Sequence, residues 1–403
     1  MYKVRLKPKI FDPVSDFRKI QREGLTRWWS MSFPDVWLIF SWLALLAVGF
    51  VMVASTSMTE AISNGQSAYY YIVRQMIFLL LSVLLVYAFV LIPIKQVQDN
   101  SARALVATLT LLLMLYLPGI GVQVNGAKRW LNLGPFNLQV GEIAKLVMII
   151  FAADFLKRHN QSLGNSWKPM VKLLTITAML SVILIKQPDF GTTVVIVATV
   201  FGMMFMAEVR LRYLLTMSAL ALVLLVMVLL SADYRRQRLF SFLDPWANHL
   251  DTGYQLTNSL IAIGNGGWFG RGLGESVQKH QFLPEAHTDF IFSIITEELG
   301  LVGAFVVMML YALLVWRAFA TGLLADKVRM RFSSYYAYGV GLWIAIQVLI
   351  NVAVTTGAMP TKGLTLPLIS YGGSSMIMTC VALAILLRVD AQARFQAKRE
   401  GRI

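Results

Sequence analysis

Eight ionisable residues fall inside or at the edge of long apolar runs: Arg74, Glu142, Lys145, Lys186, Asp189, Asp289, Glu297 and Glu298. Charge in such surroundings is costly, so each is a functional candidate. Asp289 stands out. It follows Pro284-Glu285-Ala286-His287-Thr288, where a long polar segment gives way to an apolar run. A carboxylate there, partly desolvated at a membrane surface, could take a proton from a reacting hydroxyl. It could equally complement the dipole of a helix capped by Thr288, with Asp289 in the first turn. The residues alone leave both readings open.

Glu142 and Lys145 are spaced i, i+3 and can pair on one helix face, either as a local structural pair or as part of the cavity that holds Asp289. Arg129, next to Trp130, is either an interfacial anchor or a bidentate ligand for phosphate oxygens. Arg235, Arg236 and Arg238 form a basic cluster, and Lys362 is a lone cation in the turn Met359-Pro360-Thr361-Lys362-Gly363. Gln187-Pro188-Asp189 makes a sharp turn between two apolar runs. Ser370 to Ser375 places small residues inside the last apolar run, which favours close helix packing. Arg74 and Ser370 join Arg129, Lys362, Glu142 and Lys145 as substrate-binding candidates. The Gly-rich stretch from Gly264 to Gly274 is a turn and not a nucleotide loop, because it lacks the Gly-Lys-Ser/Thr ending and no strand precedes it. The single cysteine, Cys380, excludes an intrachain disulfide, and the four histidines have no ligand-like spacing.

The elements that must position these residues are membrane helices. Of the 403 residues 57% are hydrophobic and 14% charged, against about a quarter charged in soluble domains. Ten spans are predicted at 35–55, 71–93, 102–119, 141–156, 170–186, 190–207, 211–231, 288–318, 334–356 and 364–388. The fold class is therefore all-α and polytopic, with one large extracytoplasmic loop at 232–287 and an amphipathic helix from Tyr254 to Ile263 at the interface. With both termini inside, roughly 25 of the 36 Lys and Arg are cytoplasmic. The net charge of +15 then reads as topology and not as a nucleic-acid footprint. The chain divides into a cytoplasmic tail at 1–34, a membrane domain at 35–390 and a cytoplasmic tail at 391–403. No cleavable signal peptide is visible, so the first span acts as an uncleaved anchor.

Across 35–390 an ordered set of motifs resembles the SEDS family (shape, elongation, division and sporulation): Asn125-Gly126-Ala127 with Arg129-Trp130, Gln139 with Glu142 and Lys145, Gln187-Pro188-Asp189 with Gly191-Thr192, Pro284 with His287-Thr288-Asp289-Phe290, Glu297-Glu298-Leu299-Gly300, and Pro367 with Ser370-Tyr371-Gly372-Gly373-Ser374-Ser375. Pro284 to Asp289 and Pro360 to Pro367 look like the division branch of the family. Gln139-Val140-Gly141-Glu142 departs from the family's usual Gln-Pro-Ser-Glu. The resemblance implies a septal peptidoglycan glycosyltransferase of the bacterial inner membrane. It would polymerise lipid II at the outer face with inversion and release undecaprenyl pyrophosphate. Asp289 would be its general base, and cations or Mg2+ could offset leaving-group charge. The resemblance also implies an FtsI-type class B penicillin-binding protein and other divisome proteins as partners. The alternatives are a lipid II flippase, which needs a polar path through the full membrane depth, and a non-catalytic divisome scaffold. Apart from Glu297 and Glu298, the ionisable candidates gather at the outer edge, which favours the enzyme.

Overall fold

The computed structural model describes residues 33–117, 120–124, 127–132, 134, 137–163, 166–230, 242–247, 249–251, 253–361 and 363–402. Residues 1–32 of the expected tail at 1–34, Lys362 and the cluster at Arg235, Arg236 and Arg238 lie outside these residues. The apolar runs form α1 (Val36–Ser63), α2 (Tyr70–Leu91), α4 (Ser101–Met114), α5 (Val140–Leu163), α6 (Lys168–Lys186), α7 (Phe190–Met206), α8 (Leu211–Leu230), α10 (Ile291–Lys327), α11 (Arg331–Thr355) and α12 (Gly373–Arg399). A short α3 (Ile94–Asp99) leads into α4, and the expected amphipathic helix is α9 (Tyr254–Gly266). Among the described residues six helices are long and apolar enough to cross a membrane, and α4, α7 and part of α8 are shorter apolar helices. The protein is a multi-pass membrane protein, as its composition requires. The most apolar stretch of α12 is 94% buried and that of α2 only 17%. α12 is therefore the central post, and α2 presents Val73, Ile77, Leu80 and Leu84 outward, to lipid.

Three departures from the sequence reading shape the site. The segment between the expected spans at 102–119 and 141–156 is not a plain connection: it holds a three-stranded antiparallel sheet of β1 (Gly121–Val124), β2 (Ala127–Asn132) and β3 (Asn137–Gln139). β3 runs directly into α5, whose first residue is Val140. A family Pro would fit that first helical position equally well, so the departure at 140 leaves the helix start intact.

The tenth span is helical only from Gly373. Residues 363–372 are irregular and turned, although Leu364, Leu366, Leu368 and Ile369 are buried. Irregular backbone at membrane depth requires such enclosure in protein. Gly49 of α1 admits it: a Cβ there would lie 2.5 Å from the Leu368 carbonyl oxygen.

The eighth span runs to Lys327 and breaks at Gly300, whose φ of 70° is left-handed. The Gly-rich stretch repairs the break. Arg271 and Gly272 N–H donate to the Glu297 and Glu298 carbonyls, and Leu301 and Val302 N–H donate to the Gly267 and Trp268 carbonyls. Side chains reinforce the same junction. Glu298 pairs with Lys279 at 2.9 Å and accepts from Ser55. Glu297 accepts from Ser276 and from the Val277 and Gln278 amides. These buried carboxylates staple a loop to a broken helix.

Candidate functional site

A cleft of about 410 Å³ opens at the end of the bundle that bears the sheet. Five segments wall it. α2 gives Arg74 and Phe78. The sheet and the start of α5 give Arg129, Trp130, Gln139 and Glu142. α7 gives Thr192. The turn before α10 gives Glu285, His287, Thr288 and Asp289, and residues 363–375 close the far side. Distant parts of the chain thus bring Asp289, Arg74, Arg129 and Glu142 to one cavity.

Asp289 is not in the first turn of a helix, and Thr288 does not cap one. α10 begins at Ile291 with Phe290 at the N-cap position and no side-chain cap bond. Residues 285–290 are a turn of their own: Thr288 and Phe290 N–H donate to the Glu285 carbonyl, and Thr288 Oγ1 donates to Glu285 Oε2 at 2.7 Å. Burying the turn's backbone demands partners. Asn351 Nδ2 supplies one to the Asp289 carbonyl at 2.9 Å and one to the Leu364 carbonyl at 2.7 Å. Ser370 Oγ donates to the Thr288 carbonyl at 2.5 Å and accepts from Leu366 N–H. Tyr371 N–H donates to the His287 carbonyl. Ser370 is buried and does not line the cleft; it latches the Asp289 turn to the 363–372 segment.

Glu142 and Lys145 form the expected pair, with Nζ 2.9 Å from Oε1. Only Glu142 lines the cleft; Lys145 sits behind it, 1% exposed, beside Met148, Val195 and Trp343. Its ammonium also donates to Gln347 Oε1 at 2.8 Å and lies 5.1 Å from the Trp343 ring centre. Glu142 Oε2 has no hydrogen-bond partner among the described residues. Arg129 spends two donors on the α6–α7 turn, Nε to the Gln187 carbonyl and Nη2 to the Pro188 carbonyl. Asp189 ends that turn and caps α7 through Thr192 N–H. Gly141 leaves room for it, since a Cβ there would stand 3.0 Å from Asp189 Oδ2. Arg74 donates to the Tyr70 hydroxyl. The His287 ring lies 4.9 Å from Tyr71 and 5.6 Å from Tyr371. Burial pushes its imidazole below its ordinary value, against the opposing pull of Glu60 and Glu285. The N-terminal turn of α12, at Gly373 to Ser375, adds its partial positive charge to the cleft wall.

Sequence reasoning missed Asn351, Gln347, Lys279 and Gly363. Gln347 and Asn351 did leave a signal, two amides spaced i, i+4 in an otherwise apolar span. Among the described residues no three of His, Cys, Asp and Glu gather to hold a metal ion.

A bundle of apolar membrane helices with a polar cleft at one end defines the class, and comparison with known proteins gives the family. The profile of the FtsW/RodA/SpoVE family of cell cycle proteins matches residues 36–395. A probable peptidoglycan glycosyltransferase FtsW of Dichelobacter nodosus is 54% identical over 96% of this chain and 98% of its own. The like-named protein of Legionella pneumophila is 45% identical over 91% and 93%. Among solved structures, a chain of a peptidoglycan synthase complex superposes with a TM-score of 0.72 at 30% identity, covering 89% of this chain and 98% of that one. The rod shape determining protein RodA of Thermus thermophilus gives 0.64 at 28% identity, over 89% and 96%. The chain belongs to the FtsW/RodA/SpoVE family, the SEDS family that its motifs resemble.

Proposed function

We propose that this protein is a septal peptidoglycan glycosyltransferase that polymerises lipid II at the outer face of the inner membrane. The observation that carries the proposal is the gathering of Asp289, Glu142, Arg74 and Arg129 around one cleft at one end of the bundle. The 4-hydroxyl of one lipid-linked disaccharide attacks the anomeric carbon of the growing chain. The new glycosidic bond forms as the bond to undecaprenyl pyrophosphate breaks, with inversion. Asp289 accepts the hydroxyl proton. The diphosphate carries off the bonding pair, and its charge is offset by Arg74, Arg129, Lys362 and the N-terminal turn of α12. Glu142, fixed by Lys145, completes the polar wall. A Mg2+ ion held by one carboxylate and the substrate's own phosphates would add to that neutralisation, and no step depends on it. The partner that crosslinks the product is a class B penicillin-binding protein, and both termini lie in the cytoplasm.

Asp289→Asn tests the reading. It keeps the size of the side chain and removes the base. In the purified complex with its transpeptidase partner, glycan output from lipid II falls by about a hundred- to ten-thousand-fold, the typical cost of losing a general base, while folding and partner binding persist. Output within a few-fold of the parent, from equal amounts of folded complex, removes Asp289 from the mechanism.

A further inference from the structure

The Asp289 carboxylate lies against a vacancy in the segment that closes the far side of the cleft. An ideal Cβ placed on Gly363 would stand 2.7 Å from Asp289 Oδ2, 3.6 Å from Cγ and 4.0 Å from Oδ1. Real Cβ atoms essentially never come within 3.0 Å of another heavy atom, so the carboxylate occupies space that only glycine leaves open. The requirement is steric: outside its chain neighbours, the three nearest atoms that Cβ would meet all belong to Asp289. Asn351 sets the registry of the two segments, because one amide group donates to the carbonyls of both Asp289 and Leu364. Ser370 ties them again through the Thr288 carbonyl and Leu366 N–H. The backbone on both sides of the contact is therefore held, so a Cβ at 363 must displace the far end of the Asp289 side chain.

We propose that Gly363 is a positioning residue. It sets where the Asp289 carboxylate stands, and any side chain at 363 pushes that carboxylate out of line with the acceptor hydroxyl. The proposal rests on the reading of Asp289 as general base. A base displaced by even a fraction of an ångström to an ångström loses much of its rate advantage, because proton transfer requires a heavy-atom approach of about 2.6–3.2 Å. Substrate affinity, set by the cations of the cleft, has no comparable dependence on this contact.

The test pairs Gly363→Ala with Asp289→Ala, alone and together, in the full-length protein with its partner. Thermal stability in detergent reads the contact itself. Gly363→Ala lowers the melting temperature in the parent and has no further effect once Asp289→Ala has removed the carboxylate. Lipid II polymerisation reads the consequence. Gly363→Ala lowers kcat at least tenfold and leaves KM within about twofold. Equal melting shifts in both backgrounds overturn the steric contact. A parent-like kcat for Gly363→Ala beside an inactive Asp289→Asn overturns the positioning role and spares the base. An active Asp289→Asn overturns the base, and the melting cycle still judges the contact.

Discussion

Lys145→Met should be among the most damaging single substitutions outside the cleft lining, and its partner should rescue it. Lys145 is 1% exposed, and Glu142 is 4% exposed. Methionine replaces most of the lysine stem, so packing against Met148 and Trp343 survives. Gln347 Oε1 also keeps a donor, since Trp343 Nε1 reaches it at 2.8 Å. What remains is a buried carboxylate whose cation has gone and whose second oxygen has no hydrogen-bond partner among the described residues. Removing one member of a buried ion pair costs about 3–5 kcal/mol, whereas replacing both by neutral groups of similar shape is often neutral or stabilising. Glu142→Gln with Lys145→Met should therefore be more stable than Lys145→Met alone, with a coupling energy of about 2 kcal/mol or more. Unfolding of the four proteins by titration with a denaturing detergent measures this cycle, and glycan output at a temperature where all are folded gives the functional counterpart. A Lys145→Met protein within about 1 kcal/mol of the parent refutes the argument. So do losses that add to within about 0.5 kcal/mol, as for independent sites.

Gly300→Ala places a side chain at a left-handed position beside the Trp268 carbonyl and the Gly270 amide. Strain of this kind costs about 1–3 kcal/mol before any clash, so trypsin should cut after Arg271 and Lys279 faster than in the parent; unchanged cleavage would show that the break does not hold the loop. For topology, single cysteines at Leu250 and Lys327 in a Cys380→Ser background report the two ends. An impermeant thiol reagent applied to spheroplasts should modify position 250 and spare 327, and the reverse pattern inverts the assigned orientation.

The apolar helices were legible because an apolar run long enough to cross a bilayer has few other fates. Hydropathy places Leu211–Leu230 and Phe190–Met206 to within a residue or so. It failed at 364–372 for a definite reason. Leu364, Leu366, Leu368 and Ile369 are apolar because protein encloses them, and burial reads the same whether the backbone is helical or irregular. The sheet at 121–139 escaped because its strands are only three to six residues long and carry polar residues such as Gln123, Lys128 and Arg129. At the site, Asp289, Glu142, Lys145 and Arg129 announced themselves by the cost of charge near lipid. Asn351 showed only as an amide in an apolar span, without its role, and Gly363 not at all. An amide that bridges two carbonyls, or a missing Cβ that admits a carboxylate, has no meaning until the two segments are brought together.

The layering of charge bears on the choice between polymerase and transporter. At the cleft end stand Arg74, Glu142, Lys145, Asp189 and Asp289, with Lys279 bound to Glu298 close by. At the opposite end Asp35 pairs with Arg317 and Arg394, Arg394 pairs with Asp390, and Asp154 pairs with Arg158. Between these layers the helices carry no charge: α12 has none from Gly373 to Leu387, α7 none along its length, and α5 none between Lys145 and Asp154. At 1.5 Å per residue the gap in α12 alone is about 22 Å. Carrying a diphosphate headgroup across it would mean desolvating two or more negative charges with no cation along the way. Glu297 and Glu298 were the two residues that could have marked a path. Both are spent on the loop that bridges the break at Gly300. A headgroup that arrives at the cleft from the same side of the membrane meets cations at once and crosses nothing, which is the situation a polymerase requires and a transporter does not.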